Sequence, residues 1–196
     1  MVTQRIYDKS LVLTFAKTSG NFGGLSNMAK DFPLFVNEIL INNVESLYQA
    51  CKFSLNPEIQ HLILSQKNPM MAKRISRANP LFVRPDWDKI KYDVMEWCLM
   101  VKLLQNWERF STLLKETNSM IIVEYSTKDQ IWGAVPYGEN QLIGINAMGR
   151  LLMKIRNNFV HGNIKPKEVM PPDITGFMLY GNPITKVYSP EYYIEP

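Results

Sequence analysis

Two cysteines, Cys51 and Cys98, and two histidines, His61 and His161, are all this 196-residue chain offers for disulfide frameworks and most metal sites. Both thiols sit in apolar helical patterns, where a free cysteine acts as a small hydrophobe, so the expectation is a reducing compartment and no disulfides. Scattered histidines and core-facing cysteines cannot be assembled into a metal-ligand spacing, and no metal is expected. No apolar stretch reaches the roughly 18 residues of a membrane span, and no membrane association is expected. The N-terminus lacks a basic region followed by a long apolar run, so no signal peptide is expected and the chain reads as cytoplasmic. Lys and Arg are spread along the sequence without a block of like charge. No Ser–His–Asp arrangement, Walker loop or dinucleotide fingerprint occurs, and nothing calls for a cofactor. Internal repeats and low-complexity segments are also missing.

What is present describes a globular chain. Hydrophobic residues make up 46% and charged residues 20%, enough for a core at this length. The net charge of +4 and a pI of about 9.0 mildly favour an anionic partner such as a nucleotide or nucleic acid.

The organising stretch is Asn42 to Phe53, N-N-V-E-S-L-Y-Q-A-C-K-F, which reads as a helix opening on Asn42 or Asn43. At 3.6 residues per turn, Val44, Leu47, Cys51 and Leu55 fall within roughly an 80° arc, a core-facing stripe. Glu45, Gln49 and Lys52 occupy a second arc of about 60°, centred roughly 120° from the first. Tyr48 lies between the arcs and Phe53 on the far side of the polar one. The structural reading of this face is a capping box between Asn42 and Glu45, with Glu45–Gln49 as ordinary i, i+4 neighbours. The functional reading is a carboxylate, an amide and an amine pointing one way between two aromatics.

Around this helix the pattern is mostly helical. Residues 10–17 read as a strand, and Ser19 to Asn27 form a glycine-rich loop whose Gly23 and Gly24 could let backbone amides approach a phosphate. Phe32 to Ile41 reads as a hairpin or an extended entry to the first helix. Asn56-Pro57 and Asn68-Pro69 each pair an N-cap with Pro at N1, starting helices over about 57–66 and 69–77. Asp86 caps a long helix over about 87–105, striped by Ile90, Val94, Trp97, Val101 and Leu104. A helix over about 107–116 follows, then the strand-like Met120 to Tyr125 and a turn at Ser126 to Asp129. A helix forms after Gly144 and runs to about Asn158. The last 38 residues, rich in Pro and Tyr, read as an irregular arm packed on the domain or on a partner. The fold class is mainly α with a few short β-strands (α+β) in a single compact domain.

The motifs taken together, in order and spacing over some 140 residues, resemble the YbiA-like, or NADAR, family of N-glycosidases. The match covers about residues 15–156, the domain being placed at 1–158 and the arm at 159–196. It rests on Leu25-Ser26-Asn27, Glu45, Tyr48-Gln49-Ala50 and Lys52-Phe53, then on Arg84, Asp86-Trp87, Lys91, Met95, Lys102 and Gln105-Asn106. It continues through Leu113-Leu114, Thr117, Glu124, Ser126, Asp129 and Trp132-Gly133 to Gly144-x-Asn146-x-x-Gly149-x-x-Leu152-Met153-x-x-Arg156. Ser46 stands where the family often has His, which removes His-based proton transfer there, and Met28 where an aromatic is common.

The resemblance implies cleavage of an N-glycosidic bond between a ribose-type sugar and a nitrogen. In relatives the substrates include ADP-ribosylated guanine in nucleic acid, with ADP-ribose as product, or early phosphorylated intermediates of riboflavin biosynthesis. Some relatives are antitoxin partners of DNA-modifying ADP-ribosyltransferases, so such a toxin is the partner the resemblance suggests. The chemistry suits Lys52 as a Schiff-base nucleophile and Glu45 as acid/base, with Asp129 orienting sugar hydroxyls or water. Trp87 and Trp132 would stack on a base. Asn27, Gly24 and Asn146 would hold ribose or phosphate, and Tyr48, Gln49 and Gly133 complete the expected substrate site. The leading expectation is removal of ADP-ribose from guanine in DNA or guanosine nucleotides. The alternatives are a glycosidase of riboflavin intermediates, a module that binds ADP-ribose without turnover, and an arm that recruits a partner protein.

Overall fold

Helix and strand alternate unevenly along the chain because Asn-Pro pairs at 56–57, 68–69 and 79–80 cut it into short pieces. A computed structural model describes residues 3–193. Strands β1 (Arg5–Asp8) and β2 (Val12–Phe15) open the fold, followed by the hairpin strands β3 (Leu34–Val36) and β4 (Ile39–Ile41). Helices α1 (Val44–Cys51), α2 (Pro57–Leu64), α3 (Pro69–Ala78), α4 (Trp87–Gln105) and α5 (Trp107–Glu116) come next. Strands β5 (Ile121–Glu124), β6 (Val135–Tyr137) and β7 (Gln141–Gly144) precede α6 (Ala147–Ile155), which runs on as a π-helical turn over Arg156–Val160. Four two-residue strands, β8 (Glu168–Val169), β9 (Met178–Leu179), β10 (Asn182–Pro183) and β11 (Val187–Tyr188), close the chain. The mainly helical architecture with small sheets matches the sequence pattern; β1, β6 and β7 were not legible in it.

The chain forms two compact units, each discontinuous in sequence. One comprises the N-terminal residues to Ser26 together with Glu108–Lys165. In it β1, β7 and β6 form an antiparallel sheet, and β2 pairs parallel with β5, Val12 opposite Ile121. Tyr7, Val12, Val123, Ala134 and Leu142 make a buried cluster. Arg156, a motif residue, is buried and donates to the Thr117 hydroxyl at 2.7 Å and the Met120 carbonyl at 2.9 Å.

The other unit comprises Asn27–Trp107 and the residues from Pro166 onward. Its β3–β4 hairpin turns on Asn37 and Glu38, both at positive φ (48° and 63°), the geometry that suits the twist of a two-residue turn. Helix α1 packs against α2, α3 and α4. Its stripe of Val44, Leu47 and Cys51 is buried as the periodicity predicts. Leu55 is not: the helix ends at Cys51, the register is lost, and Leu55 is 75% exposed. Asp86 makes no cap bond at the start of α4, because its carboxylate is taken by Arg84 (2.6 and 3.0 Å). In the C-terminal residues, Gln60 of α2 donates to the Met178 carbonyl and accepts from the Tyr180 amide, and Phe177 meets Trp97 edge-on at 5.2 Å. Cys51 and Cys98 are both buried free thiols, and burial beside Cys51 pushes the Cys98 thiol up.

Gly149 shows where sterics override propensity. A Cβ there would lie 2.1 Å from the Ile122 carbonyl oxygen of β5, far inside contact distance. An exposed Gly→Ala change in a helix gains about 1 kcal/mol. Here overpacking against backbone reverses the sign, and Gly149→Ala is expected to destabilise by about 2 kcal/mol. Thermal denaturation should show a fall in Tm of about 5 °C, whereas a rise would show that β5 and α6 can separate without cost.

Candidate active site

The first turn of α1 is set by Asn43, whose side chain accepts from the Ser46 amide at 2.9 Å. The capping-box reading is therefore corrected: with Asn43 as the cap, Glu45 is the second helical residue and cannot reach back as a third-position partner. It is free for other donors. Its backbone amide donates to the Asn27 carbonyl at 2.9 Å. The Asn27 side-chain amide donates to Oε2 in a close hydrogen bond, and Gln49 Nε2 donates to Oε1 at 2.7 Å. Lys73 Nζ of α3 stands 3.6 Å from Oε1. Glu45 is 1% exposed, Gln49 3% and Asn27 8%, so these groups meet out of water. The position at a helix N-terminus adds a favourable dipole for a carboxylate.

Lys52 lies at the other end of the same helix face, as the C-cap residue of α1. Its Nζ sits 5.6 Å from the Tyr48 ring centroid and 5.3 Å from that of Trp87, rings that are themselves 5.0 Å apart. Among the described residues the amine makes no hydrogen bond and no ion pair. Burial is the main cause that lowers its pKa to about 8; the charge of Glu45 opposes the shift, and Lys73 and Arg77 add to it. The cation–π contacts favour the charged form, but burial outweighs them. The Tyr48 hydroxyl is pushed the other way, up, chiefly by burial and then by Glu45, so it stays a neutral donor. Lys102 is a second depressed amine, fully buried with its Nζ 4.2 Å from the Phe32 ring centroid.

The structure thus brings together Asn27, Glu45, Tyr48, Gln49, Lys52 and Trp87. Sequence reasoning missed Lys73. Its signal is faint: α3 carries Lys73, Arg74 and Arg77 and no carboxylate, which leaves its cations available to an acid on a neighbouring element. Several polar atoms in this region are buried without a hydrogen-bond partner among the described residues: Gln49 Oε1, Ser46 Oγ and Asn43 Nδ2.

The remaining candidates lie in the other unit. Asp129 accepts from the Ile131 and Trp132 amides at 2.9 and 2.8 Å through Oδ1, as an Asx turn, and its second oxygen has no protein partner among the described residues. Trp132 is half-buried, and Gly24 lies in a 3-10 turn over Gly23–Leu25. Gly133 is required by packing, since a Cβ would sit 2.4 Å from the Glu124 carbonyl oxygen. Asn146 has a different task from holding ribose or phosphate. It is fully buried at φ 52°, accepts from the Glu124 amide at 3.0 Å and donates to the Ile122 carbonyl at 2.8 Å, so it serves β5 as a surrogate strand. Among the described residues no group of three or more His, Cys, Asp or Glu could hold a metal ion, and no helix is long and apolar enough to cross a membrane.

Residues 14–160 match the NADAR domain family. Relatives include the N-glycosidase YbiA of Escherichia coli, 32% identical over 145 residues, 74% of this chain and 86% of that one. An N-glycosidase of Nostoc punctiforme is 30% identical over 148 residues, 74% of this chain and 91% of that one. The chloroplastic riboflavin biosynthesis protein PYRR of Zea mays is 32% identical over 162 residues, 76% of this chain; the chain matches only 25% of that longer protein. The NMR structure of E. coli YbiA superposes with a TM-score of 0.67 at 27% identity, covering 81% of this chain and 90% of that one. From the match along three quarters of its length and the shared fold, the chain belongs to the NADAR family.

Proposed function

We propose that this chain is an N-glycosidase that removes ADP-ribose from ADP-ribosylated guanine, in DNA or in a guanosine nucleotide, with Lys52 as nucleophile and Glu45 as acid/base. The observation that carries the reading is the state of Lys52. An amine that makes no hydrogen bond or ion pair among the described residues, half-buried between two rings and lowered to about 8, is held on the same helix face as a buried carboxylate. At about pH 7 roughly a tenth of it is neutral and nucleophilic. The relatives named N-glycosidases support the reaction class.

The chemistry follows from the two groups. Expulsion of the ribose ring oxygen by the lone pair of the guanine nitrogen opens the glycosylamine; the oxygen takes a proton from water, and an iminium is left between C1′ and that nitrogen. Neutral Lys52 adds to C1′; Glu45 relays a proton from the new lysine ammonium to the guanine nitrogen, which departs and leaves a Lys52 Schiff base. Water, deprotonated by Glu45, adds to that carbon and expels the lysine amine, releasing ADP-ribose. Seven residues of helix separate the two by about 10.5 Å of rise, a span that two long side chains close around one sugar carbon. Asn27 and Gln49 fix the carboxylate, the buried Tyr48 ring backs Trp87 and Lys52, and Trp87 offers a π-face for a base. Lys52, Lys73 and Arg77 outnumber the single buried acid and suit a diphosphate. In this reading the chain undoes the product of a DNA ADP-ribosyltransferase, as an antitoxin does.

A second reading has its own support. The maize relative and one from Vibrio vulnificus, 35% identical over 112 residues, are named riboflavin biosynthesis proteins. The same lysine and carboxylate would then cleave the C1′–N bond of a phosphorylated ribosyl pyrimidine. Salt separates the two readings: kcat/KM on an oligonucleotide should fall steeply between low and moderate salt, and on a monophosphate only shallowly.

Single-turnover release of ADP-ribose from an oligonucleotide carrying ADP-ribosylated guanine is expected for the wild type. Glu45→Gln should slow it by about 10²- to 10⁴-fold. Turnover of a phosphorylated riboflavin intermediate with no release from the oligonucleotide would shift the assignment to the second reading. The pH profile follows from the lowered amine. Below about 8 Lys52 is protonated, so log kcat/KM should rise with pH at unit slope and level off above about 8. A profile flat from pH 6 to 9 would remove Lys52 from the nucleophile's role.

A further inference from the structure

Helix α3 turns a basic face away from its core side. Ala72 and Ser76 are buried, while Lys73, Arg77 and Arg74 span an arc of about 100° on the other side. Directly after it the chain makes a 3-10 turn over Pro80–Phe82, where Leu81 is 92% exposed and Phe82 52%. This turn is anchored on both sides. The Asn79 side chain donates to the Ile75 carbonyl at 2.9 Å, and the Asn56 side chain donates to the Phe82 carbonyl at 3.2 Å. The Arg84 amide donates to the Lys52 carbonyl at 2.9 Å, and its guanidinium is held by Ser54, Asp86 and the Thr175 carbonyl. Two large apolar side chains are therefore held outward between a cationic helix and the backbone of the candidate nucleophile. Lys73 and Arg77 are close enough to Lys52 to depress its pKa.

We propose that this surface binds a nucleic-acid strand: Arg74 and Arg77 track the phosphates, and Leu81 and Phe82 insert beside the modified guanine as it swings out of its stack toward Lys52. The proposal rests on the glycosidase reading above and narrows its substrate from a free nucleotide to a base within a strand. A base inside a strand is inaccessible until it is unstacked, and apolar wedges that fill the vacated space recur in proteins that distort nucleic acids. Phe82 has a ring on which a neighbouring base can stack regardless of sequence. The charge beside the wedge selects a polyanion. A free nucleotide would make no use of either apolar side chain.

The test uses Leu81→Ala/Phe82→Ala and, separately, Arg74→Ala, all at exposed side chains outside the catalytic set. Each is assayed on an oligonucleotide carrying ADP-ribosylated guanine and on ADP-ribosylated guanosine monophosphate. The double variant should lose about tenfold or more in kcat/KM on the oligonucleotide and stay within about twofold on the mononucleotide. Arg74→Ala should flatten the salt dependence of the oligonucleotide reaction by about one unit of slope. Equal rates for the double variant and wild type on both substrates would overturn the proposal. If the wild type cleaves neither substrate, the glycosidase reading fails alone. Fluorescence anisotropy with the unmodified oligonucleotide then decides: salt-sensitive binding weakened in the double variant supports the surface. Absent binding at low salt, or unchanged affinity in the double variant, contradicts it.

Discussion

A carboxylate with 1% of its surface in water is the constraint around which the helical unit is arranged. Leaving a buried charge without partners costs several kcal/mol, so the sequence must supply donors from wherever the fold can bring them. It does so from three places: Asn27 ahead of the hairpin, Gln49 one turn along α1, and Lys73 from α3. Asn27 and Lys73 tie a loop and a second helix to the first turn of α1, while Gln49 acts within the helix. The packing of α1 against α3 and the placement of Asn27 are thus tied to the charge of Glu45 as well as to the apolar stripe of Val44, Leu47 and Cys51.

The other end of the helix face has the opposite character. Glu45 has donors on both oxygens, while Lys52 has aromatic faces and, among the described residues, no hydrogen-bond partner. Two titratable groups on one helix face are thereby given different environments, a pattern that assigns acid/base and nucleophilic roles in many active sites. The cations of α3 contribute to both ends. Lys73 offsets the carboxylate, and with Arg77 it raises the cost of protonating Lys52. Helix α3, which the sequence announces only by its Asn-Pro start, thus supplies the cations that act on both groups of the proposed site.

Much of this was legible in the sequence because it is local. The arc of Glu45, Gln49 and Lys52 follows from helical geometry, and the Asn-Pro starts of α2 and α3 follow from Pro at N1. What failed depended on register or on distant chain. Of the two helix starts the sequence offers, Asn43 is the cap, which dissolves the capping box of Asn42 with Glu45, and the end of α1 at Cys51 leaves Leu55 in water. Asp86 lost its capping role to Arg84, two residues away. Asn146 has a helix-start sequence yet serves β5, a long-range pairing no spacing rule encodes. Lys73 was invisible for the same reason, since its partner is 28 residues earlier on another helix.

The central claim is that Lys52 forms a covalent Schiff base with the sugar. The most direct measurement is intact-mass and peptide analysis after borohydride reduction during turnover of the ADP-ribosylated oligonucleotide. The account predicts a stable ADP-ribosyl mass increment on the peptide containing Lys52, absent in Lys52→Ala, which should also lose glycosidase activity. Release of ADP-ribose at the wild-type rate by Lys52→Ala, or a reduced adduct located on Lys73 or Lys102 instead, would contradict it.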